Sequence, residues 1–310
     1  MIVNLMPTYQ CNNNCSYCYL GDLRNRTRVI DPKVLLDRLS ELSERSIIDT
    51  INIFGGEVSI IDYDEFSNII SIVNSFSENI SIITNFSNVS WVKQLLIDHP
   101  NIWINTSIND ERPNNDSIKL SLLQTDIRDV TITMVTTKSL YYSNYEKLLN
   151  FLSKVSTSLD IMQFFPSIEN RYHWNVDFDR YDDIVLKLIH MQREYFPRYR
   201  INNEYDILSS IRGEYIPTMD SHVFITPNSN FAYLHFINGI ETFRECTLEE
   251  YDIAVAAEYK MYKRCCSTCD YFGNCYAEHL NPYILENGGC CGHKRLLQKY
   301  KTSFMDIRKK

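Results

Sequence analysis

Two hydrophobic periods alternate along most of this 310-residue chain. Short runs rich in β-branched residues read as strands: IVNLMP (2–7), TINIF (50–54), NISIIT (79–84), IWINTS (102–107), VTITMV (130–135) and LDIMQFF (159–165). Between them, apolar residues recur every three or four positions, the spacing of a helix with one buried face. Leu35, Leu39 and Leu42 form one such stripe, opened by Asp31 as N-cap and Pro32 at the first helical position. Phe66, Ile69, Ile70 and Val73 form a second stripe, and Ile184, Val185, Leu188 and Ile189 a later one. Strands alternating with helices signify an α/β fold, either a partial (β/α) barrel or an open parallel sheet.

The rhythm changes toward the C-terminus. VFITPNSNFAYLHF (223–236) reads as two short strands around the turn residues Pro227-Asn228-Ser229. A cysteine-rich segment follows, then a basic helical end from about residue 293. These changes place a boundary near residue 215, dividing the chain into 1–215 and 216–310.

Composition narrows the function. The apolar fraction of 44 % supports a full core. A net charge of −8 disfavours binding to a phosphate backbone. No apolar run reaches membrane-spanning length, and no signal-peptide pattern precedes the first cysteine, so a cytoplasmic protein is expected. The ten cysteines are then poor candidates for disulfides. Cys11, Cys15 and Cys18 lie at the start; Cys265, Cys266, Cys269, Cys275, Cys290 and Cys291 lie near the end; Cys246 stands alone. That clustering suggests two metal sites.

CNNNCSYC sets Cys11, Cys15 and Cys18 in a C-x3-C-x2-C array just after the first strand. A structural zinc site wants four ligands. Three thiolates suit three irons of a [4Fe–4S] cube and leave the fourth iron open to an exogenous ligand. The array resembles that of the radical S-adenosylmethionine (SAM) superfamily, whose open iron chelates the amino and carboxylate groups of SAM. The resemblance covers roughly residues 1–170 and implies a partial (β/α)6 TIM-like barrel. It places Tyr17 near the adenine. FGGE (54–57) resembles the family's GGE segment, which implies that Gly55 and Gly56 let the backbone approach SAM and that Glu57 lies near its ammonium. Thr84 and Asn85 end the third strand, and Ser107 and Asn109 end the fourth. These resemble positions that contact the ribose or carboxylate of SAM, although the family often has Asp where Asn109 stands. Gln163, near the end of strand six, is a further candidate.

Cys266, Cys269 and Cys275 form a C-x2-C-x5-C series that resembles the SPASM and Twitch domains, which carry auxiliary [4Fe–4S] clusters. The family pattern continues with a cysteine three residues on; here His279 stands there. Aligning TPNSNFAYL with the family's hairpin puts Leu234 where another cysteine usually stands. Both missing ligands serve a second auxiliary cluster, so the resemblance implies one, completed by Cys290 or Cys291. Zinc held by three cysteines and His279 is the alternative. Cys246 is a candidate hydrogen-atom donor to a substrate radical, as in epimerases; otherwise it, Cys265 and the spare member of the 290/291 pair are plain thiols.

The implied chemistry is reductive cleavage of SAM to a 5′-deoxyadenosyl radical, which removes hydrogen from an unactivated C–H bond. The tail points to modification of a ribosomally synthesised precursor peptide by a cross-link or another C–H functionalisation. The alternative is a dehydrogenase or related enzyme acting on a small molecule such as an aminosugar. A non-catalytic iron–sulfur or zinc protein is a third reading, which intact CNNNCSYC and FGGE oppose. The expected partners are the precursor peptide and an external electron donor such as flavodoxin or ferredoxin. With ten residues before Cys11, peptide recognition is expected to fall to the barrel, the tail, residues 168–220 or a separate protein.

Overall fold

The computed structural model describes residues 1–164, 167, 178–215, 222–237, 240–276 and 293–305. The described strands are β1 (Ile2–Thr8), β2 (Thr50–Gly55), β3 (Ile80–Ile83), β4 (Trp103–Ser107), β5 (Val130–Val135), β6 (Ser158–Met162), β7 (Arg200–Ile201), β8 (His222–Ile225), β9 (Phe231–Ile237) and β10 (Ile240–Cys246). The helices are α1 (Pro32–Ser43), α2 (Tyr63–Asn74), α3 (Val89–Asp98), α4 (Asn115–Gln124), α5 (Lys138–Tyr141), α6 (Tyr145–Val155), α7 (Phe178–Tyr195), α8 (Asn202–Arg212), α9 (Leu248–Cys266) and α10 (Lys294–Tyr300).

β1 through β7 lie side by side in chain order and run parallel. Each of β1 to β6 is followed by helix before the next strand, giving the expected partial (β/α) barrel. β8 joins the other edge of β1 in parallel, and β9 and β10 continue the sheet as an antiparallel meander. The tail thus begins as an extension of the barrel sheet. The expected boundary residue 216 lies outside the described residues.

Strand alternation divides the two faces of the sheet. Val3, Leu5, Ile51, Ile53, Ile82, Ile132 and Leu159 are fully buried against the helices. The opposite face is polar. Asn52 donates to Asn4 Oδ1 (3.1 Å), Asn105 to Ser81 Oγ (2.6 Å), and Thr131 and Ser158 share a hydrogen bond of 2.9 Å. Asn4 Nδ2 also meets Nδ1 of His222 on β8 at 3.1 Å. A small apolar floor interrupts this face beside the first cysteines: Met6, Tyr9 and Leu20 pack with Phe54 and Phe224.

The expected helix stripes hold. Asp31 Oδ1 accepts from Lys33 N at 2.8 Å and caps α1. Four elements escape the periodicity reading. β7 has two residues, too few to show a period. α8 begins at once after it. β10 and α9 follow the expected hairpin, and α9 opens on a capping box made by Thr247 and Glu250. The aromatic run 169–205 divides between core and surface: Tyr181 and Tyr199 are buried, Tyr195 and Tyr205 are exposed, and 169–177 lie outside the described residues.

α8 brings Asp206 toward Asp160 of β6. Asn203 fixes the approach, accepting from Ile161 N and donating to Ile161 O, both at 2.8 Å. Burial, and then the charge of Asp160, push the Asp206 carboxyl up to about 7. A raised carboxyl stabilises the fold while protonated, so this contribution is complete below about pH 4 and fades as pH climbs through about 7. Asp206→Asn should therefore flatten the fall in thermal stability across that window. At pH 8 it should gain roughly 1–2 kcal/mol, checked by melting curves at several pH values.

Candidate functional site

The cysteine loop leaves the end of β1 and is tied down by its own asparagines. Cys11 N donates to Arg24 O and Cys18 N to Cys15 O, each at 3.2 Å. Asn12 Nδ2 donates to Ser87 Oγ (3.0 Å), while Asn12 Oδ1 accepts from Asn85 Nδ2 (2.6 Å). Asn13 Oδ1 accepts from Asn114 Nδ2 at 2.6 Å. The loop is thereby pinned to the segments after β3 and β4. Sequence reasoning treated these asparagines as spacers; three in a row between cysteines was the available signal.

Gly55 and Gly56 have a neighbour of the chain's own. Gly56 N donates to Thr8 O (2.9 Å), and Glu57 N donates to Gln10 O (2.7 Å). A Cβ on Gly56 would lie 1.9 Å from Gln10 O and 2.4 Å from Tyr9 O. One on Gly55, whose φ is +130°, would lie 2.5 Å from Thr8 O. These glycines let β2 close on β1 and the root of the cysteine loop.

Glu57 is fully buried. Its Oε1 accepts from Ser59 N (3.0 Å) and Thr84 Oγ1 (2.6 Å), and its Oε2 from Asn85 N (2.5 Å). It therefore joins the ends of β2 and β3, holding Thr84 and Asn85 in place. Three donors offset the cost of burying its charge.

Arg112, which sequence reasoning passed over, lies after β4. Its Nη1 donates to both the carbonyl and the hydroxyl of Ser107. The neighbouring acids face elsewhere: Asp110 pairs with Lys119 and Glu111 accepts from Ser139. Arg112 is 8 % exposed, and its Nε has no hydrogen-bond partner among the described residues. Asn109, 1 % exposed, is held against β5. Its amide donates to Val135 O (3.0 Å) and accepts from Val135 N (3.3 Å), and it lies 3.4 Å from the Tyr17 hydroxyl. Gln163 is buried beyond the end of β6.

Burial raises the pKa of the Cys11, Cys15 and Cys18 thiols, each raised further by another of the three. Arg112 opposes this at Cys11 and Cys15, and Arg24 at Cys15 and Cys18. Burial also pushes Tyr17 up to about 12. Among the described residues, no three metal-ligating side chains form a ready-made metal-binding group. The donor set nevertheless fits an iron–sulfur cluster open at one iron: three thiols on one short loop and a buried cation nearby. Two buried donors, Asn13 Nδ2 and Arg112 Nε, lack partners among the described residues.

Residues 5–201, well over half of the chain, match the Radical SAM superfamily. The chain belongs to that superfamily. SAM and a [4Fe–4S] cluster are the cofactors expected of a radical SAM protein. No curated protein matches the chain. Among solved structures, "Native anSMEcpe with bound AdoMet" is similar in fold: 15 % identity and a TM-score of 0.68 over 99 % of this chain and 98 % of that one. The complex of that protein with AdoMet and the Cp18Cys peptide gives 14 % and 0.69, over 99 % and 98 %. Streptococcus suis SuiB bound to its precursor peptide SuiA gives 16 % and 0.65, over 92 % of this chain and 73 % of that one.

In this radical SAM chain the second cysteine series starts at the C-terminal end of α9. Cys269 N donates to Cys266 O (2.8 Å) and Phe272 N to Cys269 O (3.0 Å), a succession of tight turns leading to buried Cys275. Next to it, the Tyr276 hydroxyl meets that of Tyr181 at 3.0 Å and accepts from Asn203 Nδ2. The His293 ring stacks on Tyr276, centroids 5.2 Å apart, and burial pushes it down to about 3. The cysteine series is thus docked on α7, α8 and the end of β6 through residues that carried no sequence signal. His279, Cys290 and Cys291 lie outside the described residues. Leu234 lies in β9 opposite Phe243. Cys246 packs against the helix-side core, and burial pushes its thiol up to about 11. No described helix is long and apolar enough to cross a membrane.

Proposed function

We propose that this radical SAM protein is a maturase that removes a hydrogen atom from a ribosomally made precursor peptide, leaving a cross-link or another altered C–H position. What carries the reading is the tail. Hairpin, α9 and cysteine series extend the barrel into a chain-long fold shared with proteins whose structures hold a peptide. When bound, the cluster and SAM together supply a 5′-deoxyadenosyl radical.

The chain's own residues hold and orient these groups. Cys11, Cys15 and Cys18 ligate three irons, on a loop fixed by Asn12 and Asn13. Tyr17 lies along the adenine, with Gly55, Gly56, Thr84, Asn85 and Gln163 around the same end of the sheet. Glu57 and Asn109 act mainly through others, Glu57 by fixing the Thr84-Asn85 corner and Asn109 by fixing Tyr17. Cys266, Cys269 and Cys275, with Cys290 or Cys291, hold one auxiliary [4Fe–4S] cluster. The protein acts in the cytoplasm with an external electron donor.

Arg112 with Ser107 receives the carboxylate of SAM. A buried guanidinium turned away from its neighbouring acids is costly, and a carboxylate offsets that cost through charge-assisted hydrogen bonds. Arg112→Gln should weaken SAM binding about 10- to 100-fold with iron content unchanged, measured by equilibrium binding to the oxidised holoenzyme.

Anaerobic incubation with SAM, a reductant and the peptide of a neighbouring small open reading frame tests the proposal. A SAM-dependent change in peptide mass is expected. SAM cleavage that leaves the peptide mass unchanged while a small substrate such as an aminosugar is consumed refutes it.

A further inference from the structure

LRNRTR (23–28) places three arginines within five residues of a chain whose net charge is −8. The segment is firmly held. Arg26 N donates to Leu23 O (2.9 Å), Arg28 O accepts from Thr8 Oγ1 (2.9 Å), and Ile30 N donates to Pro7 O (2.8 Å). Arg26 and Arg28 are exposed and Arg24 is half-buried. Among the described residues none of the three makes an ion pair, and nearby Asp31 caps α1 instead. Some other cations pair with acids: Arg295 and Lys299 with Asp182, Arg193 with Glu204, Arg45 with Asp252. The patch also adjoins the cluster loop. Arg24 O accepts from Cys11 N at 3.2 Å.

Reductive cleavage of SAM consumes one electron, which side chains do not supply. We infer that Arg24, Arg26 and Arg28 are the docking surface for a small acidic one-electron carrier protein. The carrier's reduced centre loses one electron, the N-terminal cluster gains it, and no atom is transferred. Opposite charges steer such an encounter, and the exposed Arg26 and Arg28 supply its positive side. An acidic peptide would match the charge equally well, but the position beside the cluster cysteines favours the carrier. The inference rests on the cluster held by Cys11, Cys15 and Cys18, and not on the peptide reading.

The test is stopped-flow reduction of the reconstituted holoenzyme by flavodoxin hydroquinone, without peptide, at several salt concentrations. Arg26→Glu/Arg28→Glu should slow second-order reduction about 10- to 100-fold at low salt and remove most of its salt dependence. Arg26→Lys/Arg28→Lys should stay near wild type. Iron content and reduction by dithionite, unchanged in both variants, will show that the cluster is intact. A charge-reversed protein that accepts electrons at the wild-type rate and salt slope overturns the inference. So does one that keeps this rate but loses binding to an acidic precursor peptide, since the patch then serves the substrate. Failure of the maturase reading alone leaves the reduction rates untouched.

Discussion

Replacing Cys11, Cys15 and Cys18 together by alanine is expected to abolish SAM cleavage and to remove about four of about eight irons per chain. Each cubane cluster holds about four irons. The three thiols share one loop, and no other cysteine lies near it in sequence. Burial raises all three thiols, so a metal that binds there must displace their protons. The second series is docked on α7 and α8 through Tyr276, Asn203 and Tyr181, so its irons should stay. Anaerobic iron and sulfide analysis, with chromatography for 5′-deoxyadenosine, reads both effects. Retention of about eight irons would assign the metal elsewhere.

Gly56→Ala is expected to be nearly as damaging without touching a ligand. Its Cβ would stand 1.9 Å from Gln10 O and 2.4 Å from Tyr9 O. Both atoms are backbone, so no side-chain rotation relieves the clash. Either β2 withdraws from β1, or the root of the cysteine loop moves. Overpacking commonly costs about 1–3 kcal/mol, and a backbone obstacle puts this change at or above the upper end. The variant should melt lower and, where it folds, reconstitute with only the tail's irons. Gly273→Ala is the control: among the described residues a Cβ there meets nothing within 4 Å, and its φ of +85° opposes the change by about 1–2 kcal/mol. A Gly56→Ala protein with full iron content would show that the close approach of β2 to the loop is dispensable.

How far the sequence could be read follows from what each residue expresses locally. β1 through β6 and their helices alternate with a period that the core enforces, as fully buried Leu35, Leu39, Ile51 and Ile53 illustrate. β7 escaped because two residues carry no period. α9 is legible in principle, since its capping box is written in Thr247 and Glu250, but its apolar stripe is too weak to mark a helix by periodicity alone. In the site, the cysteine spacing and FGGE mark two segments that the fold brings together, Gly56 N donating to Thr8 O and Glu57 N to Gln10 O at the root of the cysteine loop. The partner of each residue did not follow. Gly56 faces Gln10 O, and Glu57 faces Thr84 and Asn85, contacts made only when β1, β2 and β3 come together. Arg112 was invisible because a lone arginine after a strand is ordinary until its burial is seen.

Transfer of substrate hydrogen into the cofactor is the most direct measurement of what this protein does. A precursor peptide deuterated at its side-chain and α-carbons is incubated anaerobically with holoenzyme, SAM and reductant. Deuterium in 5′-deoxyadenosine, in proportion to the peptide modified, is predicted. 5′-Deoxyadenosine free of deuterium beside an unmodified peptide would contradict a peptide substrate.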